Sequence, residues 1–372
     1  MYSSRSVRVI AILVLTAPLA LAAGCNAPSE GPAATPSRSV STARSGSPSS
    51  KPRETHTHRP HRSHVAPGEP ADTVQHVVVV SVDGLNPTAL DEVDQGDLPS
   101  FQRLVTEGSS TLNARTEYEM TVTLPNHTSM MTGRPIDRRF GGHGVRIDVP
   151  TNQSVQDFAG EPVSSVFDVV HDAGGATALF ASKNKFDLYK RSWPDSIDRY
   201  AYMGDNSSLV EEAMAGLRRD DWEFTFIHLS GPDAAGHQTQ WLSQEYLSAV
   251  KAADSDLQVL LDGIAASPQL ATSTVLVVTT DHGGAGSGHS DSSKPADYTI
   301  PFFVWGSGVA HGKDLYELNP DYRDPGQAQP RYGQAPPIRN GDVANLATAL
   351  LGLSPVPGSS LDAAQNLVAT VR

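Results

Sequence analysis

A single cysteine, Cys25, is all that this chain of 372 residues contains. That excludes an intramolecular disulfide framework and any metal site built on several thiolates. Positive charge is also scarce, with 28 Lys+Arg against 41 Asp+Glu and a formal net charge of −13. Phosphate-backbone binding needs clustered Lys/Arg, so no nucleic-acid binding is expected beyond nucleotide substrates. Hydrophobic residues make up 38% of the chain, too few for a polytopic membrane protein. No internal repeat is visible. What remains is enough length for one large α/β domain or two ordinary ones.

The little positive charge there is gathers at the N-terminus. Arg5 and Arg8 precede an apolar run from Val9 to Ala23. That is the charged and hydrophobic layout of a secretory signal over residues 1–25, too short for a comfortable span. Leu21-Ala22-Ala23-Gly24-Cys25 resembles a bacterial lipobox, which would make Cys25 a lipidated first residue and tie the mature chain to a membrane. The alternative is cleavage near Ala20-Leu21-Ala22 and release of a secreted protein. Either way the expected location is extracytoplasmic. Residues 26–72 are Ser, Pro, Thr, Ala, Gly and Arg with almost no large apolar side chain, as in a disordered tether. Within it lie His56, His58, His61 and His64, read as a His-rich linker or as a tract that collects metal ions.

Residues 73–372 read as one α/β domain. Short apolar, β-branched runs recur as His76–Val82, Thr177–Ala181, Phe224–Leu229, Thr274–Thr280 and Pro301–Trp305. Near-continuous apolar strands are buried on both faces, as in a parallel sheet covered by helices. Amphipathic stretches such as Ser208–Arg218 and Ser243–Ala265 lie between them. The expected fold is a doubly wound, mostly parallel sheet with helices on both faces.

Ligands in such sheets gather beyond the carboxyl ends of the strands. Asp83 follows the first run, Asp233 comes shortly after the third, and Asp281 directly follows the fourth. Histidines accompany two of them, in Asp233-Ala-Ala-Gly-His237 and Asp281-His282-Gly-Gly, with His289 seven residues on. Each residue alone reads as a helix cap or a structural histidine. Three Asp and three His at successive strand ends are the ligand set of zinc or a similar divalent ion. In Thr121-Val-Thr123-Leu-Pro-Asn126-His127, a strand-like stretch Tyr118–Val122 meets a helix opened by Pro125. Thr123 then sits at a helix N-terminus, where negative charge is favoured, as an N-cap, a nucleophile or both.

These segments, with Val82-Asp83-Gly84, Thr280-Asp281-His282-Gly283, Gly288-His289, Pro301–Gly306 and Ile338–Asp342, occur in the order seen in the alkaline phosphatase superfamily. The chain most resembles its nucleotide pyrophosphatase/type I phosphodiesterase branch, over roughly residues 75–355. The resemblance implies two divalent metal ions, with zinc favoured. Asp233, His237 and His289 would hold one. Asp83, Asp281, His282 and the Thr123 oxygen would hold the other. Thr123 would attack phosphorus, Asn126 and the Thr123 amide would stabilise the developing charge, and water would hydrolyse the phosphothreonine. His127 and His143 are expected to be structural.

The resemblance leaves the substrate open. Lys183 and Lys185 stand where the phosphodiesterase branch tends to carry an aromatic, Gly/Pro-containing segment. In an extended segment their side chains share a face. Two cations beyond the metals would suit a dianionic phosphate monoester better than a diester, whereas the alternative is a solvent-facing turn. The leading expectation is an exported phosphodiesterase- or pyrophosphatase-like hydrolase of phosphorylated small molecules, with a phosphomonoesterase as the alternative. A non-catalytic surface lipoprotein is the competitor from another class.

Overall fold

The computed structural model describes residues 74–370. The signal segment, Cys25, the linker and its histidines lie outside the described residues. Among the described residues, no helix is long and apolar enough to cross a membrane.

Eight strands form one sheet: β1 (His76–Val82), β2 (Ser109–Arg115), β3 (Thr177–Ala181), β4 (Arg199–Tyr202), β5 (Phe224–Leu229), β6 (Thr274–Thr279), β7 (Thr299–Gly306) and β8 (Lys313–Asp314). Their order is β4-β3-β5-β1-β6-β7-β2-β8. The block from β4 to β6 is parallel throughout, and β7 runs antiparallel to both β6 and β2. The sheet is therefore mostly parallel, as the apolar runs imply.

Pleating explains why β1 is apolar at nearly every position. Successive side chains point to opposite faces, and both faces are covered. Val77 and Val79 join a core with Leu124, Met130, Phe167, Phe226 and Leu346. Val78, Val80 and Val82 join another with Phe101, Leu209, Ile227, Leu257 and Leu276. One helical layer contributes Thr123–Thr132, Val166–Asp172 and Val343–Leu350; the other contributes Pro99–Glu107, Asn206–Arg219 and Gln244–Ala265.

Three strands escape the sequence reading because they are short or mixed in composition: β2 (SSTLNAR), β4 (RYAY) and the brief edge strand β8 (KD). The stretch Tyr118–Val122 forms no strand. The Asn126 side chain bends it into a loop, accepting from the Glu117 amide at 2.9 Å and donating to the Met120 and Val122 carbonyls at 2.7 and 3.1 Å.

Candidate metal centre and nucleophile

Three neighbouring parallel strands, β5, β1 and β6, deliver the three carboxylates. Asp83 directly follows β1, Asp281 lies just beyond β6, and Asp233 sits in the first turn of the helix Gly231–Thr239 after β5. Gly84 lets two of them approach. Its φ is +73°, and a Cβ there would lie 2.9 Å from the Asp233 Cα. Only glycine takes that conformation without strain and leaves that gap open. Its amide donates to Asp281 Oδ1 at 3.2 Å, and its carbonyl accepts from Trp241 Nε1 and the Tyr246 hydroxyl.

Each carboxylate has one oxygen anchored and the other left over. Asp83 Oδ2 accepts from Lys183 Nζ at 2.5 Å and pairs with His228 Nε2 at 2.9 Å. Asp233 Oδ2 accepts from the same Lys183 Nζ at 2.5 Å. Asp281 Oδ1 takes bonds from the Gly84 amide and the Thr280 hydroxyl. The second oxygens, Asp83 Oδ1, Asp233 Oδ1 and Asp281 Oδ2, are buried with no hydrogen-bond partner. Left that way, such atoms cost a full desolvation penalty.

Those oxygens face imidazole nitrogens. Asp233 Oδ1 lies 3.3 Å from His237 Nε2 and 3.7 Å from His289 Nε2. His282 Nε2 lies 3.2 Å from Asp281 Oδ2, 3.5 Å from Asp83 Oδ1 and 3.4 Å from Thr123 Oγ1. In all three rings Nδ1 faces a backbone carbonyl: Ser287 for His237, Gly283 for His282 and Thr121 for His289. A carbonyl can only accept, so the ring proton of the neutral form sits on Nδ1 and Nε2 presents a lone pair. His237 Nε2 and His289 Nε2 thus face each other at 3.1 Å. Two lone pairs and an orphaned carboxylate oxygen around one point are what a divalent cation satisfies. The residues fit the two-metal expectation on this ground.

The two sets touch. Ligand atoms of Asp83, Asp281 and His282, and those of Asp233, His282 and His289, lie within 4.8 Å of one another, so His282 stands between both. His237 is exposed, whereas Asp83, Asp233, Asp281, His282 and His289 are buried.

Protonation follows the same layout. Burial would raise the Asp83 carboxyl, but Lys183 and His228 hold it well below the ordinary value. Burial and the Asp83 charge push Asp233 up, while His237 and Lys183 draw it down to about 2. Burial and the Asp83 charge leave Asp281 raised. Burial and neighbouring His282 lower His289 to about 4, so its neutral form prevails.

Thr123 opens the helix Thr123–Thr132, after Val122 in an extended conformation. Residue 122 is a valine and supplies no side-chain cap. Asp148, from the loop beyond the helix, accepts from the Leu124 amide at 3.0 Å instead. His127 sits beneath Thr123, with Nδ1 at 2.8 Å from the Thr123 carbonyl and Nε2 at 2.8 Å from Ser81 Oγ. Burial lowers it to about 4, and burial lowers His143 to about 3; His143 meets Ser129 and the Val145 amide. His127 ties the helix to β1, and His143 ties the following loop to the helix.

The structure brings Asp83, Thr123, Asp233, His237, Asp281, His282 and His289 to one place. Lys183 reaches it too, but bridges Asp83 and Asp233, and Lys185 pairs with Asp148 at 2.8 Å. Asn126 lies one helical turn after Thr123, while its carboxamide is committed to the loop before the helix. Sequence reasoning overlooks His228 and Asp148. A histidine inside the apolar run FTFIHL was the available signal for the first; nothing local marks the second.

Lys183 yields a prediction. Removing its ammonium leaves Asp83 and Asp233 facing each other without the cation that bridges them, with His228 alone still bonded to Asp83, and breaking a buried pair costs about 3–5 kcal/mol. In a chelating buffer Lys183→Ala is expected to lower the melting temperature by roughly 5–10 °C. With divalent cations bound to the carboxylates the loss should be smaller, a difference that calorimetry in the two buffers measures.

A second prediction concerns Glu117, which is fully buried and joined to Glu119 through the Tyr332 hydroxyl. Burial raises its carboxyl from 4.5 to about 7. Between those values the folded chain holds a proton that the unfolded chain has lost, so stability falls as pH rises through the window. Glu117→Gln is expected to stabilise the protein at pH 8 by up to roughly 3 kcal/mol. At pH 4.5 it should change little, which melting curves at the two pH values check.

A mostly parallel sheet that gathers Asp/His clusters and a helix-borne threonine at adjacent strand ends is the architecture of the alkaline phosphatase superfamily. Within it, the chain belongs to the type I phosphodiesterase/nucleotide pyrophosphatase family, whose profile matches residues 77–145 and 156–328.

Murine ectonucleotide pyrophosphatase/phosphodiesterase 5, solved as an inactive threonine-to-alanine variant with AMP, shares the fold. Its TM-score is 0.60 at 15% identity, over 79% of this chain and 99% of that one. A 2-O glycosaminoglycan sulfatase aligns with a TM-score of 0.53 at 12% identity, over 80% of this chain and 75% of that one. Among curated proteins, GPI ethanolamine phosphate transferase 1 of Yarrowia lipolytica is 28% identical over 149 residues, 40% of this chain and 16% of that protein. The Saccharomyces cerevisiae transferase is 24% identical over 258 residues, 62% of this chain and 26% of that protein. The chain thus spans about a sixth to a quarter of the length of these curated relatives.

Proposed function

We propose that the protein is an exported hydrolase of phosphoric esters that uses Thr123 as nucleophile and two divalent metal ions, acting on phosphodiesters or pyrophosphates. The observation that carries this reading is the convergence of three orphaned carboxylate oxygens and three imidazole Nε2 atoms beside the Thr123 hydroxyl. Asp233, His237 and His289 hold one ion; Asp83, Asp281, His282 and Thr123 Oγ1 hold the other. When bound, such ions, zinc by the donor chemistry, polarise phosphoryl oxygens and ease ionisation of a coordinated hydroxyl.

The chain's own residues do the rest. Thr123 Oγ1 forms the bond to phosphorus as the bond to the leaving oxygen breaks, and the leaving alcohol departs with a proton. Water then cleaves the Thr123–phosphorus ester and restores the hydroxyl. His127 and Asn126 fix the turn that presents Thr123. For Asn126 this is a narrower part than the charge stabilisation that the resemblance implies, because its amide is bonded to two carbonyls.

The paired state of both lysines favours a diester over a dianionic monoester. The ethanolamine phosphate transferases bring a second reading, in which an alcohol in place of water takes the phosphoryl group from Thr123. It shares the first step. The extracytoplasmic location and the anchor on Cys25 belong to the same proposal, as does the division into residues 1–25, 26–72 and 73–372.

The test compares kcat/KM for bis-p-nitrophenyl phosphate and p-nitrophenyl phosphate with zinc present, with and without added ethanolamine. Diester preference with products of hydrolysis alone supports the hydrolase. Phosphoryl transfer to the alcohol favours the transferase, and hydrolysis of neither with metals bound favours a binding protein.

A further inference from the structure

Asp148 occupies a place that a substrate oxygen would suit. Its Oδ1 accepts from the Leu124 amide, one residue past the nucleophile, at 3.0 Å. The same oxygen accepts from Lys185 Nζ at 2.8 Å. A free amide at a helix N-terminus beside an ammonium is a ready anion-binding pair. Here a carboxylate of the chain itself occupies it. The Lys185 side chain is only 12% exposed and that of Asp148 34%, so the ammonium is shielded while the carboxylate meets solvent. Leu124 directly follows Thr123, so the pair sits at the nucleophile's end of the helix.

We propose that Asp148 is a specificity-determining residue that biases the site against dianionic phosphate monoesters. The inference rests on the phosphoric ester reading above. A diester presents one negative charge, which the metal-ligand cluster accommodates. The second charge of a monoester meets the Asp148 carboxylate in place of a free Lys185. The two lysines of the sequence thus supply no net attraction for a dianion, because Asp83 and Asp233 hold one and Asp148 holds the other.

Asp148→Asn tests this with little structural disturbance, since the carboxamide oxygen can still accept from the Leu124 amide. The ratio of kcat/KM for p-nitrophenyl phosphate over bis-p-nitrophenyl phosphate is expected to rise about tenfold. A readout without turnover is calorimetric binding of inorganic phosphate to metal-loaded Thr123→Ala protein, which should tighten about tenfold when Asp148→Asn is added. Adding Lys185→Ala should cancel both gains, as a coupled pair requires. An unchanged ratio with unchanged phosphate affinity overturns the proposal, as does an equal loss on both esters, the mark of a purely structural Asp148. If neither ester is hydrolysed while phosphate still binds more tightly once Asp148→Asn joins Thr123→Ala, the charge role stands and the hydrolase reading falls.

Discussion

Thr123→Ala is expected to lower kcat/KM for phosphate esters by on the order of 10⁴–10⁶-fold, the scale seen when a covalent nucleophile is removed. The melting temperature should move by no more than roughly 3 °C. The separation between the two effects comes from what the hydroxyl touches. Its one hydrogen-bond contact is the 3.4 Å approach to His282 Nε2, so little folding energy rides on it. The backbone of Thr123 carries the structure instead, through the His127 bond to its carbonyl, and alanine keeps that. Thr123→Ser restores a hydroxyl at the same helix position and should recover a large part of the rate. A Thr123→Ala protein that retains more than about a tenth of the wild-type rate would remove Thr123 from the nucleophile role, since direct attack by water lacks the positioned oxygen.

The parts of this centre legible in the sequence are those with short-range signals. Apolar, β-branched runs are absent from the edge strands but dense in β1, β5 and β6, whose ends carry Asp83, Asp233 and Asp281, so the sheet and its ligand edge could be read together. The helix start at Thr123 was legible from Pro125. The loop before it was not, because Tyr118–Val122 has the composition of a strand and only the bonds of the Asn126 side chain bend it. The sequence places the lysines near the site without showing their partners. Lys183 meets Asp83 across 100 residues and Asp233 across 50, and Lys185 meets Asp148 across 37. No local pattern encodes such pairs. The same holds for His228, which reaches Asp83 across 145 residues once β5 lies beside β1.

Stripping divalent cations is the second change expected to have a large effect. A chelator should abolish ester hydrolysis and lower the melting temperature by roughly 10 °C, since ions held at about a thousandfold over their dissociation constants contribute about 4 kcal/mol. The folded chain concentrates Asp83, Asp233 and Asp281 within one buried cluster, and among the described residues Lys183 is the one ammonium bonded to it. Asp281 has no such partner for its Oδ2, and the nearest groups are His282 Nε2 at 3.2 Å and His127 Nδ1 at 3.5 Å. A cation therefore relieves more repulsion in the set that holds both Asp83 and Asp281 than in the set that holds Asp233 alone, because Lys183 is shared equally between Asp83 and Asp233. Calorimetric titration of the stripped protein with zinc should show two sites. Asp281→Asn should remove the one shared by Asp83, His282 and Thr123, and His237→Ala should weaken the other. A single site in the unaltered protein, or a melting temperature indifferent to the chelator, would contradict the assignment of two ions. Because His282 stands between both ligand sets, His282→Ala should impair both binding events at once, a coupling that neither Asp281→Asn nor His237→Ala alone would produce.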